Sequence, residues 1–131
     1  GEKRQARGAN GQHATRALLR GIELSDAQRT QVEAIRQRYA ADFKAVRDSM
    51  RPALEQAREA RQRGDSVAAH AALERTAVQR RQMSALSERV AADLRGILTP
   101  EQRTLFDTNL AAVKERAGKQ AGERRERRRG R

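Results

Sequence analysis

The apolar positions of this chain fall into helical stripes. Val32, Ile35, Tyr39, Phe43, Val46 and Met50 recur at spacings of 3, 4, 4, 3 and 4, the period of a narrow coiled-coil-like seam. A second stripe reads Val67, Leu73, Ala77, Met83, Leu86, Val90, Leu94 and Ile97, and a third Leu105, Phe106, Leu110 and Val113. Between the first two lies Arg63-Gly64-Asp65-Ser66. Gly64 supplies a left-handed C′ position and Asp65 or Ser66 a cap for the next helix, so the chain reverses into a return helix over about 66–97. Residues 13–21 predict a short helix that uses Leu18, Leu19 and Ile22 and ends at Gly21. Arg51-Pro52 interrupts the first seam. Pro52 cannot donate to the helical ladder and disfavours helix at Arg51, so a kink or short break is expected there.

Two helix starts carry the same polar pattern. Leu24-Ser25-Asp26-Ala27-Gln28 opens the first long helix, and Leu98-Thr99-Pro100-Glu101-Gln102 follows the return helix. Each is a capping box: the Ser25 or Thr99 hydroxyl accepts the N3 backbone N–H, and Gln28 or Gln102 reaches back to the cap residue's own N–H. Asp26 and Glu101 add negative charge in the first turn, and Pro100 occupies N1, where a missing N–H costs nothing. N4 is Arg29 or Arg103 rather than an apolar staple partner, so Leu24 and Leu98 are expected to pack against another helix.

This pair of motifs resembles the repeated LTxxQ motif of the Spy/CpxP group of bacterial periplasmic proteins. The resemblance runs from Ile22 to roughly Arg116 and includes Met50-Arg51-Pro52-Ala53-Leu54-Glu55 between the motifs. Ser25 stands where the family has Thr, a change that preserves capping. The resemblance implies an antiparallel dimer of bent helical hairpins forming a thin, curved cradle. It also implies that unfolded clients lie on a concave face, where the matching positions are Ile22, Leu24, Met50, Arg51, Leu54 and Arg58. The expected fold is therefore all-α: an elongated antiparallel hairpin with short flanking helices, kinked near Pro52 and pairing as a cradle-like dimer. A narrow, Ala-rich hairpin cannot bury its stripe alone, which independently favours a homodimer.

Composition narrows the alternatives. Of 131 residues 37% are apolar, 35% charged and 2% aromatic, with no cysteine. One thin-cored helical domain is expected, without disulfide or thiolate chemistry. No apolar run approaches the ~20 residues that span a bilayer, so no membrane insertion is expected. The chain begins at Gly1 rather than Met, so a signal peptide is expected to have been removed or left out. The net charge is +12, yet residues 17–113 contribute only +3, against +3 from 1–16 and +6 from 114–131. The expected organisation is a disordered basic tail at 1–12, a helical domain at 13–116 and a disordered Arg-rich tail at 117–131.

Candidate chemistry is sparse. With only two histidines, no Gly-rich phosphate loop and no nucleophile motif, no enzymatic activity is expected. The carboxylates have Arg neighbours at helical spacing, as in Glu55 with Arg58 and Glu59 with Arg63, the pattern of a solvated face. His13 lies in the N-terminal region, and His70 with Glu74 supplies two ligands where a specific metal site needs three or four. No metal or cofactor is assigned. Met50 and Met83 are seam-filling types, and Met50, beside Arg51-Pro52, is the better candidate for contact with clients.

Three functions remain open. The first is an ATP-independent periplasmic chaperone that suppresses aggregation of unfolded proteins in envelope stress. The second is a metal-responsive sensor of the same fold. The third is a nonspecific nucleic-acid or anionic-surface binder acting through Arg-rich tails, of low specificity because no aromatics interleave with the arginines.

Overall fold

The computed structural model of the chain describes residues 15–129. The expected tail at 1–12, His13 and the final two residues lie outside that range. Among the described residues four helices follow a short helical turn at 15–18: α1 (Asp26–Gln62), α2 (Ser66–Glu74), α3 (Ala77–Gly96) and α4 (Pro100–Arg129). No strand occurs among the described residues, in keeping with the all-α fold read from the stripes. Two compact units divide the chain, one of residues 1–32 and 93–131 and the other of 33–92.

In the second unit the chain reverses where expected. Gly64 takes φ +76°, a conformation that an L side chain resists. The Asp65 N–H bonds the Ala60 carbonyl at 2.8 Å and the Gly64 N–H the Arg61 carbonyl at 3.0 Å, the paired bonds of a Schellman motif. Asp65 then caps α2 by accepting the Ala68 N–H at 3.0 Å. Arg75 Nη1 donates to Gln56 Oε1, while residues 42–49 and 82–89 face each other across a groove farther from the turn. That register is antiparallel. Ile35, Ala57, Ala60, Ala69, Ala72, Leu86, Val90 and Ala91 are buried. Alanines let backbones approach closely, and they make the thin core that the composition predicts.

The course of the return segment differs from the expectation. The return segment is not one helix over 66–97 but breaks at Arg75-Thr76. Here the Arg75 and Thr76 N–H groups bond carbonyls three residues back, and the buried Thr76 donates its hydroxyl to the Leu73 carbonyl at 2.7 Å. A β-branched hydroxyl that captures a carbonyl of the preceding turn competes with the regular ladder. Thr76 then opens α3 by accepting the Arg80 N–H at 2.9 Å. Conversely, α1 passes through Pro52 without a break. Asp48, whose carbonyl loses its usual partner there, receives Lys44 and Arg51 on its carboxylate at 2.9 Å each. Burial of Ile35, Ala57 and Ala60 on either side of Pro52 keeps the helix in register.

In the first unit Phe106 and Leu94 are fully buried, and Leu18, Val32 and Leu98 nearly so. Leu24 is half-buried. Asn109 Nδ2 donates to the Leu18 and Arg20 carbonyls at 2.8 and 3.0 Å, which fastens the 15–18 turn to α4. Gly21 reverses the chain at φ +78°. Beyond Val113 every residue through Glu123 is exposed, yet α4 continues to Arg129. Helix therefore occupies 117–129, where a disordered tail was expected. Glu115 precedes Lys119 by four residues and Glu123 precedes Arg127 by four, an order that supports helix against the cost of Gly118 and Gly122.

Both capping boxes form completely. Ser25 N–H donates to Gln28 Oε1 at 3.0 Å and Gln28 N–H to Ser25 Oγ at 3.1 Å. Thr99 N–H donates to Gln102 Oε1 at 2.9 Å and Gln102 N–H to Thr99 Oγ1 at 3.2 Å. The two glutamines also grip each other's motif. Gln28 Nε2 donates to Gln102 Oε1 at 2.7 Å and to the Ile97 carbonyl at 3.1 Å. Gln102 Nε2 donates to Gln28 Oε1 at 3.2 Å and to the Glu23 carbonyl at 2.7 Å. Each glutamine thus reaches the carbonyl just before the other motif's leucine, a quasi-two-fold clasp that engages both donors of each amide.

The clasp explains why glutamine rather than glutamate closes these boxes. Either residue can cap, but a carboxylate has no N–H to donate. Gln102→Glu is expected to destabilise the fold by about 1–3 kcal/mol, the cost of turning two donated bonds into acceptor–acceptor contacts. Urea unfolding at neutral pH measures it, and an unchanged midpoint would show that the donated bonds carry no weight.

Candidate functional site

An uninterrupted α1 decides how the candidate client-binding residues are arranged. At about 100° per residue, Met50, Leu54, Arg58 and Arg51 fall within an arc of about 100° on one side of the helix. A break at Pro52 would have separated Met50 and Arg51 from Leu54 and Arg58. Buried Ala57 and Ala60 and half-buried Ala53 lie along the adjoining edge of that arc. Met50 is half-buried, Arg51 and Arg58 are exposed, and Leu54 is 40% exposed. The strip therefore joins accessible apolar surface to guanidinium groups on the shoulder of the packed seam.

The remaining two candidates belong to the other unit. Ile22 and Leu24 are half-buried beside the first capping box, and the Ile22 N–H bonds the Leu19 carbonyl at 3.1 Å. The structure brings together four of the six positions in the second unit and holds the other two in the first.

Electrostatics within the strip centre on Asp48. Its carboxyl is held below the ordinary value of 3.8, first by the hydrogen bond from Lys44, with burial opposing and the charges of Lys44, Arg51 and Arg47 adding to the effect. Arg51 is thereby paired along its own helix rather than isolated.

A feature that the stripes did not single out lies elsewhere on α1. Asp42, Ala45, Val46 and Ser49 face Gln82, Ala85, Leu86 and Arg89 across an open groove of about 510 Å³. Ala45 and Ser49, one turn apart on α1, and Ala85 on α3 give this lining small side chains. Its lining has one acidic and one basic side chain and no nucleophile–base pair. The signal available in the sequence was the Ala45/Ser49 spacing outside the seam.

His70 Nε2 sits 3.4 Å from Glu74 Oε1 on exposed surface. Among the described residues no group of three or more His, Asp or Glu side chains is placed to hold a metal ion. No described helix is long and apolar enough to cross a membrane.

Near the second capping motif, Arg95 and Asp107 form a two-pronged pair, with Nε to Oδ1 at 2.9 Å and Nη2 to Oδ2 at 3.1 Å. Arg103 Nε donates to the Arg95 carbonyl at 3.0 Å. The hydrogen bonds from Arg95 hold the Asp107 carboxyl below 3.8 against the opposing effect of burial, and the charges of Arg95 and Arg103 add to them. A depressed folded-state value means that the pair's contribution is present above the unfolded-state value and fades as pH falls through the folded one. An NMR titration of the Asp107 carboxyl should give a midpoint below 3.8, moving upward in Arg95→Gln. A midpoint at or above the ordinary value in the native protein would contradict the pair.

A family model for LTXXQ motif family proteins matches residues 10–110. Neither a curated protein nor a solved structure matches the chain. The match embraces both capping boxes, the two clasped glutamines and the Met50–Arg58 strip between them. The chain belongs to the LTXXQ motif family, the Spy/CpxP-type group that its paired motifs resemble.

Proposed function

We propose that this protein is an ATP-independent periplasmic chaperone that holds unfolded or aggregation-prone chains on a helical surface during envelope stress. Membership of the LTXXQ family suggests a periplasmic, stress-related protein of the Spy/CpxP type. The observation that carries the finer reading is the strip on α1, where Met50 and the 40%-exposed Leu54 lie within one arc with Arg51 and Arg58. Unfolded chains expose apolar side chains, aromatic rings and carboxylates together. Apolar atoms flanked by guanidinium groups bind each of these weakly, through burial, stacking and charge. Holding of this kind needs neither nucleotide nor a reacting group, and no catalytic step or cofactor is proposed.

Dimerisation belongs to the same proposal. Phe43 and Val46 continue the seam of α1 but remain half-buried. A second copy is the simplest partner to cover such a stripe, and pairing would give clients a longer surface. Ile22 and Leu24 are proposed as additional client contacts.

The test is light scattering from a chemically denatured model protein, without ATP and at two salt concentrations. Suppression is expected near one dimer per client, weaker at high salt. The double variant Leu54→Ser, Arg58→Gln is expected to need several-fold more protein for the same effect, because it removes both apolar and cationic parts of the strip. Failure of the native protein to suppress scattering at several-fold excess would overturn the chaperone reading.

A further inference from the structure

The distal part of α4 extends past Val113, the last half-buried residue described on it. Residues 114–123 are all exposed, and the helix continues to Arg129. Nine basic residues stand against three acidic ones in 114–131, a net +6. Neither the capping boxes nor the strip on α1 uses this segment.

The helical path determines what kind of surface it is. At about 100° per residue, the helix positions 114, 116, 119, 124, 125, 127, 128 and 129, all basic in the sequence, are distributed around the whole axis. Past Val113 the only apolar side chains are Ala112's small neighbours of the same type, Ala117 and Ala121. The segment is therefore a cationic rod about 24 Å long with no hydrophobic face to sink into a bilayer. It is suited to partners that present many anionic groups over an extended plane, because any rotation about the axis offers cations to them. Guanidinium groups pair phosphate oxygens through two parallel hydrogen bonds.

We propose that this arm adsorbs the protein peripherally to bilayer surfaces rich in anionic phospholipid headgroups. The choice of a lipid surface over nucleic acid rests in part on the periplasmic reading given above. It rests also on the absence of any aromatic residue beyond Phe106, which removes the stacking that single-stranded nucleic acids exploit. Adsorption keeps a holding protein at the surface where newly exported, unfolded chains emerge.

Co-sedimentation of the full chain with unilamellar vesicles tests this directly. Vesicles of phosphatidylcholine alone are compared with vesicles in which one lipid in three is phosphatidylglycerol, at low and at high sodium chloride. Binding to the anionic vesicles alone is expected, falling by about tenfold or more at high salt because screening removes an attraction between surface charges. The variant with Arg124, Arg125, Arg127, Arg128 and Arg129 all changed to glutamine should lose binding to a similar degree. Arg80→Gln with Arg81→Gln on α3 should retain it, and circular dichroism confirms that both variants remain helical. Equal binding by the five-fold variant, or no binding of the native chain to anionic vesicles, overturns the proposal. Displacement from vesicles by duplex DNA at equal phosphate concentration overturns the choice of lipid. The five-fold variant should still suppress aggregation in the scattering assay, so failure of the arm and failure of the chaperone reading are separate results.

Discussion

Everything in the first unit depends on two side-chain amides meeting across 74 residues of chain. Gln28 and Gln102 each cap their own helix, and the same amides then lock onto one another and onto the carbonyls of Glu23 and Ile97. Helix starts leave backbone N–H groups without intrahelical partners, and here the groups that satisfy them also join the starts of α1 and α4. Three of these four bonds are part-buried, the one to the Glu23 carbonyl being exposed, so an unmatched amide would carry a desolvation cost. Around this polar link Phe106, Leu94 and Leu98 provide the apolar burial that a 2%-aromatic chain can supply. Asn109 and the Arg95–Asp107 pair tighten the same end.

The second unit solves a different problem. Its core is largely alanine, so it relies on close helix approach and on well-made chain reversals rather than on bulky side chains. The Schellman motif at Gly64 and the Asp65 cap define one end of the reversal, and Thr76 adjusts the course of the return segment. The continuity of α1 through Pro52 matters for the proposed client strip. It aligns Met50, Arg51, Leu54 and Arg58 on one helical arc, where an interruption would have scattered them.

How much of this was legible in the chain depends on the range of the interaction. Both capping boxes, the Gly64 turn and Gly21 are local, carried within five residues by side-chain chemistry that has few alternatives. The clasp is not local, and a single motif gives no hint that its glutamine has a distant partner. One trace was present: the two motifs share a longer ending, Gln28-Arg29-Thr30 and Gln102-Arg103-Thr104, and both threonine hydroxyls bond the carbonyl four residues back. The break at Thr76 left no trace in the stripe, whose spacing across it, from Leu73 to Ala77, is a regular four. Val67, assigned to that stripe, is 80% exposed, because the seam of α2 is made by Ala69 and Ala72 instead. At Pro52 the expected kink or short break does not take the form of a break, since α1 stays helical from Asp26 to Gln62. Beyond residue 116 the local signals conflict: Glu115 with Lys119 and Glu123 with Arg127 favour helix, while Gly118, Gly122 and the Arg124/Arg128 and Arg125/Arg129 spacings oppose it.

A double-mutant cycle at the clasp tests the central claim most directly. Gln28→Ala and Gln102→Ala each remove one capping interaction, and those losses are independent because they belong to separate helix starts. The bonds between the two amides are the shared term. Unfolding free energies of the native chain, both single variants and the double variant should therefore show a coupling of about 0.5–3 kcal/mol, the double variant losing less than the sum of the singles. Strict additivity would mean that the glutamines act only as two separate caps, and the account of the first unit would be wrong.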